Sequence, residues 1–65
     1  MSKSASFMQK YWFARGFYDR LAFSAKDVPS IEVVEYAEEV TGVNILKEYE
    51  AGYDQAEKDR VNSVI

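Results

Sequence analysis

Histidine and cysteine are both absent from this 65-residue chain. Without imidazole there is no ordinary general base near neutral pH, and without thiol there is no thiolate nucleophile or disulfide. The two absences together remove the usual ligands of a zinc site. Glycine occurs three times, at Gly16, Gly42 and Gly52, too sparsely for a phosphate-cradling loop. The serines lie mostly at Ser2, Ser4 and Ser6 or beside a turn at Ser30, none in a Gly-x-Ser-x-Gly setting. Apolar runs are short, because Gln9, Lys10, Arg15 and Asp19 interrupt the first one. No segment approaches the length of a membrane span or a secretory signal, so a cytoplasmic location is expected. These absences predict no cofactor, no metal and no enzymatic activity.

What remains is 48% hydrophobic and 29% charged, with a net charge of −3 and an aromatic share of 15%. A chain this short forms one small domain, and burying about 60% of its unfolded surface leaves it marginal on its own. Tight helix packing, self-association or docking on a larger partner are the ways left to stabilise it.

Two punctuated stretches, Asp27-Val28-Pro29-Ser30 and Thr41-Gly42-Val43-Asn44, divide the chain into three segments that each suit a helix. The first is expected over about 6–26, capped by Ser4 or Ser6 and ended by Asp27 and Pro29. Phe7, Tyr11, Ala14, Tyr18, Leu21 and Ala25 recur at three- and four-residue steps and make one apolar stripe. Met8, Trp12, Phe13, Phe17 and Phe23 extend it almost all round, more than one side of a monomer buries. The second helix is expected over 31–41, with Ser30 as N-cap, Glu32 near its positive end and Gly42 as left-handed C-cap. Val33, Tyr36, Ala37 and Val40 are its expected buried stripe, although the β-branched run 31–34 also admits a strand. The third, over 45–62 with Asn44 as N-cap, places Leu46, Tyr49, Tyr53, Ala56 and Arg60 on one face. Val61, Val64 and Ile65 leave a small apolar patch at its end. The fold class is therefore all-α: a three-helix mini-domain, its first and third helices forming an antiparallel hairpin with a shorter middle helix.

Charge is unevenly shared. Residues 1–30 carry five basic and two acidic side chains, whereas residues 31–65 carry three basic and nine acidic ones. The two halves attract one another, within one molecule or between molecules.

Gly16 and Gly52 each fall inside an expected helix, where glycine costs about 1 kcal/mol relative to alanine. Two reasons fit: a close helix crossing at Gly16 and Gly52, with Tyr49 and Tyr53 in the core beside it, or the approach of a partner's backbone. The aromatic load has three readings: large residues filling a tiny core, self-association, or a foreign partner. Basic residues interleaved with aromatics on the first helix suit single-stranded nucleic acid weakly, since the whole chain repels phosphate. The acidic residues, from Glu32 through Asp59, are either a solvated face or an imitation of a phosphate backbone.

The elements Trp12-x-x-Arg15-Gly16-Phe17-Tyr18-Asp19 and Tyr49-x-x-Gly52-Tyr53-Asp54, with Asp59 nearby, resemble those of a group of small bacteriophage proteins. Those proteins carry an early Arg-Gly-Tyr-Tyr-Asp-Gly and a late Gly-Tyr-Asp-x-Gly element. The pattern is also distantly similar to ribosome modulation factor, which pairs Gly-Tyr elements on two helices. Here Arg20 and Ala56 stand where those elements have their second glycines, and the chain is acidic where ribosome modulation factor is strongly basic. The resemblance implies a phage-type accessory protein in a host cytoplasm. Residues and resemblance together lead to a modulator that binds a larger host protein, such as an inhibitor of an enzyme or defence complex. Trp12, Phe13, Arg15, Tyr18 and Arg20 are its expected anchors, and Glu35, Glu38 and Glu39 its acidic contacts. The alternatives are a ribosome- or RNA-binding modulator and a structural homo-oligomer.

Overall fold

The computed structural model describes the backbone of residues 3–22 and 25–63 and the side chains of residues 4–22 and 25–59. Among these residues there are three helices and no strand: α1 (Lys3–Leu21), α2 (Ile31–Thr41) and α3 (Ile45–Ser63). Phe23, Val64 and Ile65, read above as apolar contributors, lie outside the described residues, as do Ser2 and the side chains of Arg60 and Val61.

The caps of α2 and α3 follow the local sequence. Ser30, in extended geometry, accepts a hydrogen bond from the Val33 amide at 3.3 Å, and Asn44 Oδ1 accepts one from the Lys47 amide at 3.2 Å. Gly42 adopts φ 77°, and its N–H donates to the Glu38 carbonyl, a left-handed termination that glycine tolerates without a Cβ penalty. The expected caps of α1 are not used: Ser4 and Ser6 lie inside the helix.

α1 also stops at Leu21, short of the expected end near residue 26. Arg15 Nη2 lies 3.3 Å from the Asp27 carboxylate, and the Asp27 N–H donates to the Tyr49 hydroxyl at 2.8 Å. A helix continued through Lys26 would carry Asp27 about 18 Å along the axis from Arg15, out of reach of both partners. The segment from Ala25 to Ser30 is therefore non-helical because it must double back to α1 and α3.

α1 and α3 form the main packing unit, and their relative direction corrects the antiparallel expectation. Ala5 near the start of α1 shares a buried cluster with Val43 and Ile45 at the start of α3, together with Val34 and Ala37 of α2. Met8, Trp12 and Leu46 pack against the same cluster. Further along, the Trp12 and Tyr49 rings meet edge-on at 6.4 Å, and the Arg20 guanidinium lies over Tyr53. The order of contacts runs the same way in both helices, so they are parallel. The reason is topological: α2 returns along the pair between two chain reversals, and two reversals restore the original direction.

The crossing is set by glycine. A Cβ placed on Gly16 would sit 2.0 Å from the Tyr49 carbonyl oxygen, and one on Gly52 would sit 1.9 Å from that of Phe13. Each glycine thus meets the carbonyl three residues before the other, a reciprocal contact in which a Cα–H bond points at the facing oxygen. Only hydrogen fits there.

α2 is rotated by one position from the expected stripe. Val34 and Ala37 are buried, while Val33, Tyr36 and Val40 are exposed. Its inward face meets Ala5, Val43 and Ile45 at close quarters, which admits a small surface and turns Tyr36 outward. Thr41 secures the turn, its hydroxyl donating to the Ala37 carbonyl at 2.6 Å and accepting from the Val43 amide at 3.3 Å.

Gly16→Ala and Gly52→Ala are each expected to cost at least about 3 kcal/mol, because an overpacked methyl must push apart two backbones rather than a mobile side chain. Gly42→Ala, which meets no atom within 4 Å, should cost about 1–2 kcal/mol through its backbone geometry alone. Thermal melts followed by circular dichroism check the ranking; equal losses at all three glycines would contradict it.

Candidate functional site

The expected anchors do not form one surface. Trp12 is half-buried, packed on the core and on Tyr49, and the Arg15 guanidinium lies 5.6 Å above its ring. Phe13 is half-buried, with its backbone against Gly52. Arg20 and Lys26 both lie over the Tyr53 ring, at 6.0 Å and 4.8 Å from its centroid. Tyr18, by contrast, is 71% exposed. Glu35, Glu38 and Glu39 are exposed and line a shallow depression on α2.

Rotational phase explains the division. Gly16 faces α3, and a residue two positions away lies about 200° round the helix. Ala5, Trp12 and Gly16 consequently share the inward side, while Phe7, Tyr11, Ala14, Tyr18 and Leu21 share the outward one. All five of the latter are exposed. Phe7 stacks on Tyr11 at 5.9 Å between centroids, and Tyr11 meets Trp12 edge-on at 5.3 Å. The regular stripe of α1 is thus its solvent face, flanked by Lys10 on one side and Arg15 on the other. Phe7, Tyr11 and Leu21 were not among the expected anchors. The incompatibility of Gly16 and Tyr18 on one inward face was the signal for them.

The outer face of α3 is of the opposite character. Lys47, Glu50, Asp54, Glu57 and Lys58 are exposed there, and further along the helix Gln55 donates to Asp59 at 3.0 Å. A charged outer face is the ordinary solution for a helix on a small domain; an aromatic one is not.

Arg15 is held in place at the edge of the aromatic stripe. Its guanidinium donates to the Tyr11 hydroxyl at 3.1 Å and to Asp27 at 3.3 Å. These bonds, Tyr11's first, raise its pKa above the ordinary arginine value, so the charge is permanent. Behind it, Tyr49 is fully buried, and its hydroxyl donates to the Asp19 carboxylate while accepting from the Asp27 N–H. Burial, then the bond to Asp19, raises the Tyr49 pKa; the Asp27 amide opposes the shift.

Among the described residues no group of three or more carboxylates is placed to hold a metal ion, and no helix is long and apolar enough to cross a membrane. Comparisons with protein-family models, with curated proteins and with solved structures gave no match to this chain.

Because the folded state favours the neutral phenol of Tyr49, its contribution is fully present below pH 10, the ordinary tyrosine value, and falls as pH rises from there through the raised folded value. Tyr49→Phe is expected to cost about 1–2 kcal/mol at neutral pH through the two lost hydrogen bonds. It should also flatten the alkaline decline. Urea titrations from pH 7 to 11 on both proteins check this; parallel curves above pH 10 would refute the role given to Tyr49.

Proposed function

We propose that this chain is a non-enzymatic modulator that acts by binding a larger protein, with the outer face of α1 as its contact surface. The observation that carries the reading is the line Phe7, Tyr11, Tyr18 and Leu21, exposed on a helix whose inner face is already packed. Large aromatics beside arginine are the side chains that dominate binding energy at protein interfaces. Arg15, braced by Tyr11 and Asp27, loses little freedom on binding, which favours affinity. The acidic residues of α2 and α3 steer approach to a basic partner and raise the association rate. The narrower form of the proposal, a phage-type inhibitor of a host enzyme or defence complex, rests on the resemblance of the paired Gly-Tyr elements.

A ribosome- or RNA-binding role draws less support from the geometry. Arg15, Arg20 and Lys26 sit against aromatic rings of their own chain, and Arg15 is also paired with Asp27. Phosphate contact would first have to release them.

The test is co-purification of a tagged chain from a bacterial host at moderate salt, with and without nuclease, beside a Phe7→Ser/Tyr18→Ser double variant. One stoichiometric protein is expected to survive nuclease and to be lost with the variant, whose circular dichroism spectrum should be unchanged. Recovery of RNA or ribosomes that disappears with nuclease would overturn the reading.

A further inference from the structure

The outer face of α1 has a complement on the same chain. On α2, Val33, Tyr36 and Val40 form a second exposed apolar line at three- and four-residue steps, Tyr36 being 68% exposed. Glu32, Glu35 and Glu39 all lie along one side of it, the other side turning through Ala37 to the buried Val34, and no basic residue occurs anywhere in α2. The α1 line is flanked by Lys10 and Arg15. The two lines are alike in period, and the acidic border of the second is opposite in sign to the basic residues beside the first.

Among the described residues Tyr49 and Ile45 are the fully buried large side chains, so the chain gains by covering more.

We propose that the occupant of the α1 face is a second copy of this chain, docked through the acid-bordered apolar line of its α2. The charges select this pairing over the symmetric ones. α1 against α1 would set Lys10 and Arg15 near their own copies, and α2 against α2 would bring six border glutamates together without a basic residue from either helix. α1 against α2 puts Phe7, Tyr11 and Tyr18 on Val33, Tyr36 and Val40, with Lys10 facing the glutamates while Arg15 keeps its own partner Asp27. The proposal rests on the reading of the α1 face as a protein contact and names what covers it when no foreign partner is present.

Sedimentation equilibrium on the purified chain, over a hundredfold concentration range and at low and high salt, tests it. The mean mass is expected to rise to at least twice 7.5 kDa with concentration, and to fall back as salt screens the borders. Phe7→Ser/Tyr18→Ser and, separately, Val33→Ser/Tyr36→Ser should each be monomeric with an unchanged helical spectrum. A mixture of the two should regain a heterodimer, since each retains the face the other has lost. A concentration-independent monomer mass would overturn the proposal while leaving a foreign partner for α1 standing. Association that survives the α2 substitutions would overturn it in favour of α1 pairing with itself.

Discussion

The reciprocal contact of Gly16 with the Tyr49 carbonyl and of Gly52 with the Phe13 carbonyl is the constraint on which the rest of the structure depends. It brings two backbones together where any side chain would hold them apart. In doing so it sets the rotation of both helices about their own axes. With Gly16 turned to α3, every other residue of α1 has its direction assigned.

A crossing built on glycine has a cost in core volume. Space between α1 and α3 that large side chains would occupy is closed, so the interior is made of Ala5, Ala37, Ala56 and a few larger groups. The aromatics of α1 that find no room inside are turned to the solvent side. The intimacy of the crossing and the aromatic outer surface are one consequence seen from two sides. That link, from a missing Cβ to an exposed Tyr18, gives the proposed binding role a physical origin.

Tyr49 ties the connections to this frame. From a buried ring on α3 its hydroxyl reaches Asp19 on α1 and the Asp27 amide between α1 and α2. The same Asp27 engages Arg15, whose guanidinium is shared with Tyr11 and lies over Trp12. Six residues from three parts of the chain thus hold one another without a buried unpaired charge, which matters in a domain with so little apolar interior. The arrangement also orders the rim of the outer α1 face, so part of the entropy of binding is met in advance.

Much of the local structure was legible in the sequence, because caps and breakers act over three or four residues. Ser30, Gly42 and Asn44 end and begin helices through bonds to their immediate neighbours, and Gly16 and Gly52 announce a close approach by standing where helices disfavour them. The sequence by itself determined three helices, their approximate spans, two glycines that need a close approach and the uneven charge; that the approach is between α1 and α3 came from the structure. Only the tertiary structure decided which face of α1 looks inward, the one-position rotation of α2, the end of α1 at Leu21 and the parallel course of α1 and α3. Each of these depends on atoms far apart in the chain: a stripe such as Phe7–Tyr11–Tyr18 has the same period whether it faces a core or a partner. Periodicity gives a helix its faces, but only the contact at Gly16 says which of them is the inside.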